Sequence, residues 1–258
     1  MNWRVIPWAA YDAHTNMAID EAILEAVRDG RAPPTIRFYE WQGGGVSIGR
    51  HNPSSLVRVD QCNADGVGYV RRITGGNAVF HGSSDLTYSV IAPHEVFGEV
   101  EGSSLKRKAY ACILSWIIDA LRTVGVDAYL YGSNDVLYDG KKIVGNAQKP
   151  LQKVLLQHGS LFYASTADEW SAYLRIPENK LEGIQNICSL GVERESLKTA
   201  LFNAFTSNDL VRCVTVESLS DAEYARACEL IDMRYAISFE DESDARSGTI
   251  CALDIQED

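Results

Sequence analysis

Apolar positions recur along this chain with two periods that alternate irregularly. From Asn16 to Val27 they fall at Met17, Ile19, Ala22, Ile23 and Ala26, close to the spacing of an amphipathic helix. Asn16 reads as its N-cap and Gly30 as its stop. A longer helix is expected over Leu105 to Val124, with Ala109, Ile113, Trp116, Ile117, Ala120 and Leu121 on one face and Gly125 just beyond. Elsewhere the pattern shortens to alternation. Thr35 to Tyr39, Val46 to Gly49, Tyr69 to Arg72 and Leu86 to Ile91 read as strands. So do Ala128 to Leu130, Asp135 to Tyr138, Lys142 to Val144 and Val154 to Phe162, with Asp139-Gly140 as a hairpin turn. The last third turns helical, at Thr166 to Leu174, Glu195 to Phe205 and Asp221 to Met233. Regular βαβ alternation is missing, so the expected fold is α+β: a mixed, largely antiparallel sheet flanked by helices.

Composition narrows the function classes. The 258 residues are 46% hydrophobic and 23% charged, which suits a folded domain with a substantial core and excludes bulk disorder. The net charge is −11, without a basic stripe for nucleic acid or a basic amphipathic face for a membrane surface. A local basic pocket remains compatible with that total. No apolar run reaches 18 residues, and the start lacks a signal-peptide pattern. Residues 240–258 hold seven acids and one base, which divides the chain into a domain over 1–238 and an acidic, solvated tail over 239–258. Six scattered cysteines form no C-x-x-C pair, so neither a zinc site nor a disulfide framework is expected. A reduced, cytoplasmic setting fits.

Three segments carry candidate chemistry. Val70-Arg71-Arg72-Ile73-Thr74-Gly75-Gly76-Asn77-Ala78-Val79-Phe80-His81-Gly82 joins two arginines to a glycine pair and a histidine. Glycines let backbone approach a ligand closely, successive N–H groups cradle an anion, and arginine pairs with phosphate or carboxylate. The bland alternative is a simple hairpin turn. Ser133 to Gln148 presents Asn134, Asp135, Lys141 and Lys142 around a hairpin, where strand alternation lets only one lysine face a pocket. A lysine pair beside a turn is otherwise a solvated edge. Leu155 to Leu161 contains His158, which such an apolar strand usually holds as a satisfied core group. Nucleophile-elbow, zincin, P-loop and dinucleotide-binding motifs are all missing.

Taken together and in this order, the segments resemble the lipoate–protein ligase A family, within the biotin/lipoate ligase and octanoyltransferase superfamily. The resemblance runs from about Asn16 to Tyr235. It rests on Asn16-Met17-Ala18-Ile19-Asp20-Glu21-Ala22, on Arg71-Arg72-x-Thr74-Gly75-Gly76-x-Ala78-Val79-x-His81, and on Asn134-Asp135 followed by Gly140-x-Lys142-Ile143-x-Gly145-x-Ala147. It implies a class II synthetase-like catalytic domain that activates lipoate or octanoate with ATP and Mg²⁺ to an acyl-adenylate. The acyl group then passes to a lysine of a lipoyl-acceptor domain, of the glycine cleavage H or 2-oxoacid dehydrogenase E2 kind. The resemblance makes Lys142 the catalytic cation. It places Arg72, Gly75, Gly76, Asn77, Ala78, Val79, Phe80 and His81 around nucleotide and acyl chain, with Asn134 and Asp135 beside nucleotide or metal. It implies no protein-built metal site beyond a contribution from Asp135.

Three departures stand out. Asn77 replaces a usual third glycine, and Gly82 replaces a usual aspartate, so that polar contact is either absent or supplied by Asp85. The family's C-terminal accessory domain is not expected here, which implies a separate small accessory subunit. The rival reading is an ATP-independent octanoyltransferase that holds the acyl group as a cysteine thioester. One transferase branch places its cysteine shortly before the lysine segment, where residues 127–133 contain none. Another places it after the His-Gly strand, a region where Cys188 is the candidate nucleophile, without the usual Pro and Gly neighbours. A protein that binds lipoyl groups or nucleotide without turnover is the third reading. A biotin ligase is disfavoured because its Gly-Arg-Gly-Arg type of loop is missing.

Overall fold

The computed structural model describes residues 1–98, 102–236 and Phe239. The acidic tail expected over 239–258 therefore lies outside the described residues apart from Phe239, which is buried against Tyr69.

Strand β1 (Trp3–Tyr11) opens the chain. Alternation does not announce it, because Pro7 interrupts the pattern, and its pairing slips between Ile6 and Ala9. Helix α1 (Ala13–Arg28) begins earlier than the periodicity predicts. Its N-cap is Asp12, whose carboxylate accepts from the Thr15 amide. Asn16 is instead buried in the first turn and donates to the Tyr11 and Glu40 carbonyls. There follow β2 (Thr35–Trp41), β3 (Gly45–Ile48), α2 (Val59–Asp65), β4 (Gly68–Arg71), β5 (Val79–His81), β6 (Leu86–Pro93) and α3 (Gly102–Thr123). The second half contains β7 (Tyr129–Tyr131), β8 (Asp135–Tyr138), β9 (Lys141–Leu151), β10 (Val154–Leu161), α4 (Ala167–Tyr173), α5 (Glu178–Leu181), α6 (Arg194–Thr206), β11 (Val214–Val216) and α7 (Asp221–Leu230). A π-helical turn, Ile231–Tyr235, extends α7. Elements as short as α2, β5 and β11 carry too few residues to show a period.

The strands form an eight-stranded sheet in the order β11-β1-β2-β6-β10-β9-β8-β7 and a three-stranded sheet, β4-β3-β5. Only β11-β1 and β1-β2 are parallel in the large sheet. The α+β architecture with a mixed, mostly antiparallel sheet is therefore what forms.

Helices cover both faces of the large sheet, so its central strands β2, β6 and β10 are buried on both sides. On β2, Ile36 and Phe38 face the core built with α3 and α6, while Tyr39 and Trp41 face α1 and α7. Helix α3 buries Leu105, Ala109, Ile113, Trp116, Ile117, Ala120 and Leu121 on the expected face. Phe205 of α6 meets Phe38, Tyr88 and Trp116 at ring separations of 5.4, 5.1 and 5.3 Å. The small sheet packs with α2 and α4 through Val46, Ile48, Cys62, Phe80 and Trp170. It leans over the centre of the large sheet, and the gap between the two holds the site. No helix among the described residues is long and apolar enough to cross a membrane.

Candidate active site

A cavity of about 560 Å³ opens between the two sheets. Strand β10 forms its floor with His158, Gly159 and Ser160, and β6 adds Thr87. Ser47 of β3, His81 of β5 and the glycine loop line one wall. The β8–β9 hairpin lines the opposite wall, and the segment from Arg175 to Ile184 crosses the rim.

The glycine loop is built around Arg72. This guanidinium is 5% exposed, and its five N–H groups are all spent inside the fold. Nε donates to Thr74 Oγ1, one terminal nitrogen donates to Ser47 O and Oγ, and the other donates to the Gly75 and Asn77 carbonyls, both at 2.7 Å. Burial brings the Arg72 pKa down to about 10. Gly49 lets the loop close, because a Cβ there would overlap the Gly76 carbonyl oxygen. Gly76 has φ +89°, a conformation that suits glycine.

A polar chain continues beneath. Thr74 Oγ1 meets His158 Nε2 at 2.8 Å, and His158 Nδ1 lies 3.1 Å from Asp20 of α1. Asp20 also receives hydrogen bonds from Arg37, Tyr39 and Ser89. Burial pushes the Asp20 carboxyl up, but His158 and Arg37 outweigh it and hold its pKa below the usual value. His81 stacks on Trp41 at 3.7 Å and bonds to Ser47 and Ser160 through its two ring nitrogens. Burial, with the nearby Arg72 charge, keeps the His81 pKa well below the ordinary histidine value, so the ring is neutral.

On the hairpin, Asp139 and Gly140 have φ +46° and +76°, the primed turn that Asp-Gly favours. A bulge follows: Val136 pairs with Val144, but Leu137 pairs with Lys142. Bulges re-aim side chains, and here Lys142 lines the cavity while Lys141 is exposed. Lys142 Nζ lies 2.7 Å from Asp135 Oδ1, a buried oxygen with no other hydrogen-bond partner in the structure. The Lys142 backbone is gripped by Gly183 O and Gln185 N, at 2.7 and 3.0 Å.

Of the residues singled out in the sequence, Arg72, Gly76, Asn77, Ala78, Val79, His81, Asn134, Asp135 and Lys142 line one cavity. Gly75 supports it from behind through Arg72. Phe80 points into the small-sheet core and stacks on Tyr173. Asp85 does not supply the polar contact left open by Gly82, since its carboxylate is spent on the amides of Gly82, Ala164 and Ser165. Cys188 is exposed and bonded to Asn186, outside the cavity lining. Cys62, Cys112, Cys213 and Cys228 are outside it as well. Sequence reasoning missed Asn146, Ser47, Thr87 and Trp41, whose places depend on strands far apart in the chain. Among the described residues, no three His, Cys, Asp or Glu side chains are grouped to hold a metal.

Residues 12–217 match the family model for the lipoyl protein ligase A/B catalytic domain. The chain belongs to that family. Its members here include an octanoyltransferase LipM of Brevibacillus brevis, 30% identical over 91% of this chain and 96% of that protein. Another, of Moorella thermoacetica, is 29% identical over 88% of this chain and 93% of its own length. The fold is shared with a lipoate-protein ligase A crystallised with ATP, at a TM-score of 0.79 and 24% identity, over 92% of this chain and 97% of that one. It is also shared with a bi-partite lipoate protein ligase of Thermoplasma acidophilum, at a TM-score of 0.77 and 24% identity, over 92% and 94% of the two chains. The protein is thus an enzyme of the lipoate ligase and octanoyltransferase family.

Proposed function

We propose that the protein is a lipoate–protein ligase working through an acyl-adenylate. One observation carries this reading: the cavity pairs a cation, Lys142, with a glycine-rich backbone loop, and none of the five described cysteines lines it. A thioester mechanism needs a sulfur at the acyl carbonyl. Adenylate chemistry needs fixed donors around developing negative charge.

The carboxylate oxygen of lipoate or octanoate attacks the α-phosphorus of ATP. The bond to the β-phosphate breaks, and pyrophosphate leaves. The neutral ε-amine of an acceptor lysine then attacks the acyl carbonyl carbon. The bond to the adenylate oxygen breaks, AMP leaves with that electron pair, and the amine proton passes to solvent. Lys142 releases Asp135 to meet the α-phosphate and acyl carbonyl oxygens, while the amides near Gly76 and Asn77 face the nucleotide. Arg72 shapes that loop. Asp135 is the one carboxylate among the lining residues. This donor set suits Mg²⁺ carried chiefly by the nucleotide's own phosphates. The apolar chain lies toward Met17, Tyr39 and Trp41.

The relatives named octanoyltransferase LipM favour a second reading, acyl transfer between carrier proteins without ATP. Mass spectrometry of a lipoyl domain incubated with the protein, ATP, Mg²⁺ and lipoate or octanoate, each omitted in turn, separates the two. The ligase reading expects modification that requires ATP and yields AMP. Modification by an octanoyl carrier protein without ATP, abolished by Cys188→Ser, overturns it. An arm with a small accessory subunit tests whether the activation step needs a partner.

A further inference from the structure

We propose that Asn146 is a positioning residue for the reaction at Lys142, a role that rests on the acyl-transfer reading above. Asn146 lies on β9, lines the cavity and is 8% exposed. Its amide nitrogen donates to Asn134 O at 2.8 Å, and the Asn134 amide nitrogen donates back to Asn146 O at 2.9 Å. This two-way lock joins the wall of the cavity to the residue immediately before Asp135.

On one side Asp135 pairs regularly with Tyr131 of β7, but on the β9 side, where Lys142 lies, the backbone ladder is short. The β8–β9 ladder begins at Asp135, paired with Gly145, so Asn134 is one residue outside it. Two residues further on, the bulge at Val136/Leu137 breaks the register. Toward β9, Asp135 is therefore held by two regular rungs between a strand end and a bulge. The Asn134–Asn146 lock acts as the missing rung.

Asparagine suits the task because one short planar group must both donate and accept. The buried Tyr88 hydroxyl donates to Asn146 Oδ1 at 2.7 Å, which turns the amide nitrogen toward Asn134. Burial raises the Tyr88 pKa, so that hydroxyl keeps its proton. Gln157 donates to Tyr88 at 2.8 Å, and Gln148 donates to Gln157 at 2.7 Å, which fixes the orientation from behind. Room for the amide comes from Gly159, where any Cβ would overlap Asn146 Oδ1. Gly145 leaves similar space under the Lys142 stem, 3.1 Å from a notional Cβ.

The test follows acyl transfer from ready-made lipoyl-adenylate to a lipoyl domain, with thermal unfolding of each variant measured in parallel. Asn146→Asp keeps the size and the acceptor for Tyr88 but loses the donor to Asn134. Asn146→Asp and Asn146→Ala should each lower kcat by about 10²-fold, the cost of a small misplacement of a reacting group, with KM for the adenylate changed by less than about threefold. If Asn146 acts through Asp135, then Asp135→Asn combined with Asn146→Asp should be no slower than Asp135→Asn alone. Full activity of Asn146→Asp, or losses that multiply in the double variant, overturns the proposal. Wild-type protein that cannot use the adenylate, yet transfers from an octanoyl carrier protein, instead overturns the ligase reading.

Discussion

Replacing Arg72 by lysine asks whether this arginine builds the site or binds the substrate. The guanidinium makes five hydrogen bonds, to Thr74, Ser47 and the Gly75 and Asn77 carbonyls. Lysine has three donors on one nitrogen and cannot span these acceptors. Gly75 is half-buried and Asn77 exposed, so their carbonyls, once freed, can turn to water. Ser47 and Thr74, at 2% and 0% exposure, cannot. If lysine keeps one of the three charge-assisted bonds at those buried acceptors, the two lost cost about 3 kcal/mol, at about 1.5 kcal/mol each or more. Urea unfolding should show that loss for Arg72→Lys, and amide exchange over residues 73–78 should quicken. Arg72→Met gives up all five bonds and should cost at least as much. An Arg72→Lys protein within about 1 kcal/mol of wild type, with unchanged loop exchange but weakened nucleotide binding, would refute the reasoning. In that case the guanidinium would belong to the ligand.

Other substitutions probe the same site. Gly159→Ala drives a Cβ into Asn146 Oδ1 and within 2.8 Å of the Tyr88 ring, and should cost about 1–3 kcal/mol by overpacking in urea titrations. His81 links stability to pH. Its folded pKa is depressed, so as pH falls below about 6.5 the unfolded chain binds a proton that the folded chain refuses. Stability should drop toward pH 5 by up to about 1.4 kcal/mol per pH unit, and the drop should flatten in His81→Gln. Cys188→Ser should leave acyl transfer within about twofold of wild type, because the thiol is exposed and outside the cavity lining.

The residues that carry chemistry were legible where they are local. Arg72 through His81 form one loop and the strand it leads into, and Asp139-Gly140 dictates the hairpin that delivers Lys142. What sequence could not show is how those groups spend their bonds. An arginine beside a glycine pair reads as an anion ligand, yet in the fold its donors go to the loop itself. The Asn134–Asn146 lock spans a hairpin and a bulge, so its geometry depends on a register that spacing leaves open. Gly159 looks like any strand glycine until Asn146 and Tyr88 are placed against it. Strand β1 was hidden by Pro7, and the start of α1 was misread because Asn16, a good cap by type, is instead drawn into a buried contact with Arg37.

The central claim is that Lys142 serves an acyl-adenylate rather than a cysteine thioester. Its most direct test supplies lipoyl-adenylate and a lipoyl domain to the wild-type protein and to Lys142→Ala, with intact-mass detection of the domain. The adenylate bypasses the activation step and any partner that step requires. The account expects the wild type to modify one lysine and release AMP, and Lys142→Ala to bind the adenylate but transfer it at least about 10²-fold more slowly. An inert wild type that instead carries an octanoyl thioester on its own cysteine, after exposure to an octanoyl carrier protein, would contradict it.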